Sequence, residues 1–262
     1  MKKEDLKDIK LFVMDMDGTI YLSSTLIEGS LDFIEHLRKN NKGVLFFTNN
    51  SSRTGETYVE RLNNMGFNVT DKDVMTSGDV TIKYLNTKYK DKKVYLVATP
   101  KVTKSFKDAG INLVEEDPDI VVMTFDTTLT YEKLDKACHY IRNGALFLAT
   151  HLDINCPTIN GFMPDCGAMC ELITKSTEKK PKYLGKPFKE TVDMIVESTG
   201  YKREEIAFIG DRIYTDVATG VNNGAKGILV LSGETKKEDI PKFDTTPDLI
   251  FDKAYDIIPY IK

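Results

Sequence analysis

A chain of 262 residues is long enough for one large domain or two smaller ones, and can bury about three quarters of the surface it exposes when unfolded. Its 41% hydrophobic and 29% charged residues are an ordinary globular balance, and a net charge of −4 with a pI near 5.6 argues against a broad nucleic-acid or anionic-membrane surface while leaving room for a local phosphate site. No apolar run approaches the ~20 residues of a membrane helix, and no apolar stretch precedes Leu11, so the expectation is a cytoplasmic protein with neither nucleic-acid nor membrane partner.

The first predicted strand, Lys10–Met14, runs straight into Asp15-Met16-Asp17-Gly18-Thr19. An apolar strand that ends in two acids, followed by a glycine that lets the chain turn, presents two carboxylates at one tip. At about 4 Å and an effective dielectric near 20 such a pair repels by roughly 4 kcal/mol. A cation between them turns that liability into a site, and carboxylate and carbonyl oxygens suit Mg2+. The plain alternative is an Asp-Gly turn with no ligand.

A helix follows, with Leu31, Ile34 and Leu37 at helical spacing between Gly29-Ser30 and Gly43. The second strand, Gly43–Thr48, ends in Thr48-Asn49-Asn50-Ser51-Ser52-Arg53. A hydroxyl and two amides at the C-terminal edge of a strand sit where open α/β sheets bind ligands. They also suit the start of the next helix, so Ser51 or Ser52 can cap while Thr48 faces the ligand. That helix carries Tyr58, Leu62 and Met65 and stops near Gly66.

Thr76-Ser77-Gly78 reads as a joint between domains, and the polar run from Ser176 to Pro181 as a second. Between them lie predicted strands at Lys93–Ala98, Ile120–Phe125 and Ala145–Ala149. The expected organisation is a discontinuous core, residues 1–79 and 182–262, with an inserted α/β domain at 80–181. Beyond the insert, Leu184-Gly185-Lys186-Pro187 fixes one lysine where the chain is stiff and averse to helix. A further stripe, Val192, Ile195 and Val196, ends at Gly200. Strand Ile206–Gly210 then delivers Asp211, and Asp216 follows near the next helix start, where it caps that helix, holds Lys186 or supports a metal. Strands at Gly227–Leu231 and Asp248–Phe251 complete the series. Alternating strands and amphipathic helices predict an α/β fold, a doubly wound and mostly parallel sheet with helices on both faces.

The four cysteines, Cys138, Cys156, Cys166 and Cys170, lack the spacing of a zinc site and read as free thiols. No Gly-x-Gly-x-x-Gly opens a helix after a strand, which argues against a nicotinamide-dependent dehydrogenase.

Asp-x-Asp, Thr-Asn-Asn, Gly-Lys-Pro and Gly-Asp-(x)4-Asp, in that chain order, resemble the haloacid dehalogenase superfamily of phosphotransferases. The insert after Thr48 and before Lys186, together with the short turn after Asp17, is similar to the class IIA, nitrophenyl-phosphatase-like (NagD-like) branch, whose core is Rossmann-like and whose insert is an α/β cap. Ala149-Thr150-His151-Leu152-Asp153 and Gly161-Phe162-Met163-Pro164-Asp165-Cys166-Gly167-Ala168 resemble that branch's cap signature. The branch more often has Asn-Pro at His151-Leu152 and Gly at Asp165.

The resemblance implies a Mg2+-dependent phosphatase of small phosphate monoesters such as sugar phosphates, nucleotides or aryl phosphates. Asp15 would be the nucleophile that becomes an aspartyl-phosphate, and Asp17 the acid and then the base. Mg2+ would be held by the Asp15 carboxylate, the Asp17 main-chain carbonyl and Asp211. Thr48, Asn49 and Lys186 would hold the phosphoryl oxygens, and Asp216 would orient Lys186 or the metal shell. The insert would act as lid, from which His151 and Asp153 either reach the leaving group or form a loop pair without substrate contact. Insert surfaces in this group often pair, which suggests a homodimer through the cap. Two other readings are transfer of the phosphoryl group to an alcohol acceptor and a sensor without turnover. The presence of both Asp15 and Asp17 argues against the sensor.

Overall fold

A computed structural model of the protein describes residues 1–158 and 161–262. The chain divides into two compact units. The first comprises Met1–Thr48, Tyr58–Met75 and Lys186–Lys262; the second comprises Asn49–Thr57 and Thr76–Gly185.

The first unit is built on a six-stranded sheet in the order Leu249–Phe251, Lys226–Val230, Ile206–Gly210, Leu11–Met14, Gly43–Thr48, Val74–Thr76. From Leu249–Phe251 across to Gly43–Thr48 the pairs are parallel, with Val13 opposite both Phe208 and Leu45. Counted in chain order within the sheet, the strands lie 3-2-1-4-5-6, so the order reverses between Leu11–Met14 and Ile206–Gly210. Helices cover both faces, as a parallel sheet requires. Ile228 and Val230 join a core with Phe12, Met14, Phe46, Phe33, Ile34 and Leu37, whereas Leu229 points the other way and packs with Ile213 and Val217. Alternate side chains of one strand thus serve opposite layers. On the helix Ser30–Lys39 the buried face is Phe33, Ile34 and Leu37; Leu31, expected in the stripe, is 37% exposed.

The second unit has its own parallel sheet, Lys182–Tyr183, Leu146–Ala149, Ile120–Met123, Val94–Val97. Val121 and Met123 face helices Tyr131–Arg142 and Cys166–Thr177, while Ile120 and Val122 face helices Ser77–Lys88 and Pro100–Asp108. All four cysteines are free thiols, and three of them are buried.

The eight predicted strands are present, with ends moved by a residue or two. Several short ones escaped prediction: the hairpin Tyr21–Leu22 with Thr25–Leu26, the edge strand Val74–Thr76, the hairpin Asn155–Thr158 with Gly161–Pro164, and Lys182–Tyr183. The second hairpin is almost wholly exposed, so it carries no buried face to leave an apolar alternation. Thr76-Ser77-Gly78 is a helix start. The Asp79 N–H donates to the Thr76 hydroxyl, and Thr76 N–H donates back to the Asp79 carboxylate at 2.7 Å, a capping box. The expected boundary at 79/80 therefore falls inside helix Ser77–Lys88, because a capping box and a linker share the same small polar residues. Among the described residues no helix is long and apolar enough to cross a membrane.

Helix Ala218–Asn222 lies on strand Lys226–Val230 because Gly220 has no side chain: a Cβ there would sit 2.1 Å from the Lys226 carbonyl oxygen. Gly220→Ala is expected to destabilise the protein by about 1–3 kcal/mol, the usual cost of overpacking. Urea unfolding reads this, and an unchanged midpoint would show that the helix yields freely.

Candidate active site at the reversal of strand order

The sheet ends its first strand with every residue of Leu11–Met14 buried, and the Asp15 N–H continues the ladder by donating to the Ile209 carbonyl at 2.8 Å. Asp15 is thus fixed at the C-terminal edge, beside the strand that ends at Gly210. In open α/β sheets the crevice beyond this edge, where the order reverses, is the ligand site. Asp211 sits on the other side of that reversal. Thr48 ends the neighbouring strand two residues beyond Phe46, which pairs with Met14.

Lys186 enters this edge almost fully buried. Its ammonium donates to Asp15 Oδ1 and to Asp216 Oδ1, each at 2.6 Å, and lies 5.4 Å from the centre of the Phe47 ring. Asp216 is itself held, since its Oδ2 accepts from the Arg212 N–H at 3.0 Å. Gly210 makes room for it, because a Cβ there would lie 2.3 Å from Asp216 Oδ2. Burial works against a charged lysine, but Asp15 and Asp216 outweigh it and hold Lys186 above the ordinary lysine range.

Asp211 is packed between two glycines. A Cβ on Gly18, whose φ is +88°, would lie 2.4 Å from Asp211 Oδ2, and a Cβ on Gly233 2.1 Å from it. Gly18 therefore serves twice, allowing the left-handed turn after Asp17 and the approach of Asp211. Oδ2 of Asp211 accepts from the Glu234 N–H at 2.6 Å, whereas its buried Oδ1 has no hydrogen-bond partner among the described residues.

One oxygen each from Asp15, Asp211 and Asp216 lies within 4.8 Å of the other two. Asp15 and Asp216 share the Lys186 ammonium, and the third carboxylate, Asp211, keeps a buried oxygen without a hydrogen-bond partner. That donor set fits a hard divalent cation, which binds through oxygen. The Asp17 carboxylate is exposed and lies outside the cluster. Burial, and then Asp216, push the Asp211 carboxyl up to about 7. Asp15 is likewise raised by burial and by Asp216 and Asp211, against the pull of Lys186.

The other sequence candidates lie in the second unit. Asn49 is buried, with its amide donating to Asp153 Oδ2 at 3.1 Å. His151 and Asp153 are both buried, at 0% and 7% exposed. They form a buried cluster with Asp165, a residue singled out only as a departure from the cap signature. The available signal was its place just before a helix, where it caps Cys166–Thr177. Gly233 gave no signal, because the residue it accommodates lies far away in sequence. The Gly-Lys-Pro element also differs from expectation: the strand before it, Lys182–Tyr183, pairs with Leu146–Ala149 in the second unit's sheet.

The site is thus a buried lysine and converging carboxylates at the point where a parallel α/β sheet reverses its strand order. Residues 12–112 match the family of haloacid dehalogenase-like hydrolases, and residues 183–257 match the related HAD-hydrolase-like family. The 5'-nucleotidase YutF of Bacillus subtilis is 32% identical over 98% of this chain and 100% of its own length. An acid sugar phosphatase of Staphylococcus aureus is 33% identical over 94% of this chain and 95% of its own. Among solved structures, a 4-nitrophenylphosphatase from Thermotoga maritima superposes with a TM-score of 0.94 at 44% identity, covering 98% of this chain and 99% of that one. NagD from Escherichia coli gives 0.88 at 29% identity, covering 94% and 97%. The chain belongs to the haloacid dehalogenase-like hydrolases, in the branch of the nitrophenylphosphatases and NagD. It is an enzyme of the phosphoric monoester hydrolase class.

The raised Asp211 carboxyl sets a pH dependence for cation binding. A proton on Asp211 competes with a cation, so affinity should rise with pH up to about 7 and level off above it. Calorimetric titration of the purified protein with Mg2+ on either side of that value reads this. Equal affinities on both sides would remove Asp211 from the cation site.

Proposed function

We propose that this enzyme is a Mg2+-dependent phosphatase of small phosphate monoesters, working through a phosphoryl group carried on Asp15. The observation that supports it most is the Lys186 ammonium, bound at once to Asp15 and Asp216 beside Asp211. An arrangement that gathers anions around one fixed cation is suited to a ligand that brings negative charge along with a metal. The names of the relatives, a 5'-nucleotidase, acid sugar phosphatases and nitrophenylphosphatases, support the same substrate class: phosphate esters of nucleosides, sugars or aryl alcohols.

In this reading an Asp15 carboxylate oxygen attacks phosphorus, and the bond from phosphorus to the ester oxygen breaks. Asp17, two residues on and exposed, gives its proton to the departing alcohol. Asp17 then takes a proton from water as the water attacks phosphorus, which releases inorganic phosphate and returns Asp15 as a carboxylate. Lys186 and Thr48 hold the phosphoryl oxygens as charge builds up, and Asp216 keeps the lysine in place. The Asp15 carboxylate, the Asp17 main-chain carbonyl and Asp211 would hold Mg2+, whose positive charge would let an anionic nucleophile approach an anionic ester.

Phosphate release from 4-nitrophenyl phosphate and a panel of sugar phosphates and nucleotides tests this. Asp15→Asn is expected to lower turnover by about 10⁴-fold or more, as removal of a nucleophile does elsewhere. Near-normal turnover would exclude Asp15 as the nucleophile. Chelation should abolish wild-type activity and added Mg2+ restore it; full activity in excess chelator would contradict the metal's part.

A further inference from the structure

The second unit holds a buried ionic cluster that the proposed reaction does not use. His151 Nδ1 lies 3.3 Å from Asp153 Oδ2, and Nε2 lies 3.5 Å from Asp165 Oδ1. One carboxylate at each ring nitrogen suits an imidazolium, which carries a proton on both. A neutral ring would turn a lone pair toward one of the acids. The shortest contacts of the two acids are to opposite nitrogens.

Burial works against the charge on His151, but Asp165 and Asp153 outweigh it and raise the group to about 9. The groups that face it are Asp153 from its own loop and, from helix Cys166–Thr177, the cap Asp165 and the first residue Cys166; Cys170 and Tyr183 stand behind Cys166. Burial raises the Cys166 thiol, but Cys170, His151 and Thr150 outweigh it and bring the group to about 7.

Asp153 has a second partner. The same Oδ2 that faces His151 accepts from the Asn49 amide at 3.1 Å. The Asn49 side-chain oxygen lies against Gly185, where a Cβ would come within 2.7 Å of it and 2.6 Å of the Thr150 carbonyl oxygen. The Gly185 N–H donates to that carbonyl at 2.7 Å, and the Ser77 hydroxyl donates to the Asn49 carbonyl. Asn49 is the first residue of the second unit and Gly185 the last, so one network inside that unit clasps its two outermost chain crossings. The residues next to them in the chain are Thr48 and Lys186.

We propose that His151 is a positioning residue: charged, it fixes Asp153, which fixes Asn49 against Gly185, and the clasp sets where Thr48 and Lys186 stand for the phosphoryl group. This rests on the proposed function, in which those two residues hold phosphate.

The test follows kcat and KM for 4-nitrophenyl phosphate with Mg2+ across the alkaline range, in the wild type, His151→Gln, Asp153→Asn and Cys166→Ala. Wild-type kcat should fall as pH rises through about 9, where His151 loses its proton. His151→Gln and Asp153→Asn should lower kcat by about 10²-fold, the cost of a misplacement near 1 Å, with a smaller change in KM. The alkaline limb should vanish in His151→Gln and persist in Cys166→Ala. Should His151→Gln not fold, wild-type NMR decides. The chain has three histidines, and one should titrate well above the ordinary imidazole range. An alkaline limb unchanged in His151→Gln, or no histidine titrating that high, overturns the inference. A wild type that releases no phosphate from any ester overturns the proposed function, and this inference with it.

Discussion

The site depends on one charge balance. Asp15, Asp211 and Asp216 converge where the sheet reverses its strand order, and a single buried ammonium, Lys186, stands against them. Like charges about 4 Å apart at an effective dielectric near 20 repel by roughly 4 kcal/mol per pair, and one lysine cannot offset all of that. Burial and the neighbouring acids raise the carboxyls of Asp15 and Asp211, the latter to about 7, which eases the excess at Asp211 by favouring its protonated form. A divalent cation bound there would relieve the same excess. Structural stability and ligand demand are thus set by the same four side chains.

Around that balance the backbone is arranged by small residues. Gly18 and Gly233 admit Asp211, Gly210 admits Asp216, and Gly220 lets a helix settle on the strand beside them. Each of these contacts joins residues from different strands or loops, and a side chain at Gly18, Gly210 or Gly233 would push an acid off the reversal point. The cluster is therefore a property of the whole sheet edge, placed by parallel pairing that holds Met14 level with Ile209 on one side and Phe46 on the other.

Much of this was legible in the sequence for a definite reason. A strand buried on both faces leaves an unbroken apolar run, and an acid at its end then stands out, as Asp15 and Asp211 do after Leu11–Met14 and Ile206–Gly210. Elements with no such run stayed hidden: two-residue strands, and the exposed hairpin around Asn155–Thr158. Thr76-Ser77-Gly78 opens both a helix and the long segment of the second unit, because a helix cap and a linker draw on the same residues. Lys186 could be picked out between Gly185 and Pro187 and Asp216 offered as its partner, as the structure has it, but the lysine's contact with Asp15, far off in the chain, could not be read locally. His151 and Asp153 could be named as a loop pair, but the joining of Asp165 to them could not be read, since a polar cluster inside a core leaves no periodicity.

The central claim is that Asp15 itself carries the phosphoryl group. The direct measurement is to quench the enzyme with acid during turnover of a phosphate ester with Mg2+, and to locate the phosphoryl group by mass spectrometry of the peptides. A phosphoryl group on the peptide containing Asp15, at that residue and chased away as turnover ends, is the predicted result. Rapid phosphate release with no labelled Asp15 at any time, or with the label on another residue, would contradict it.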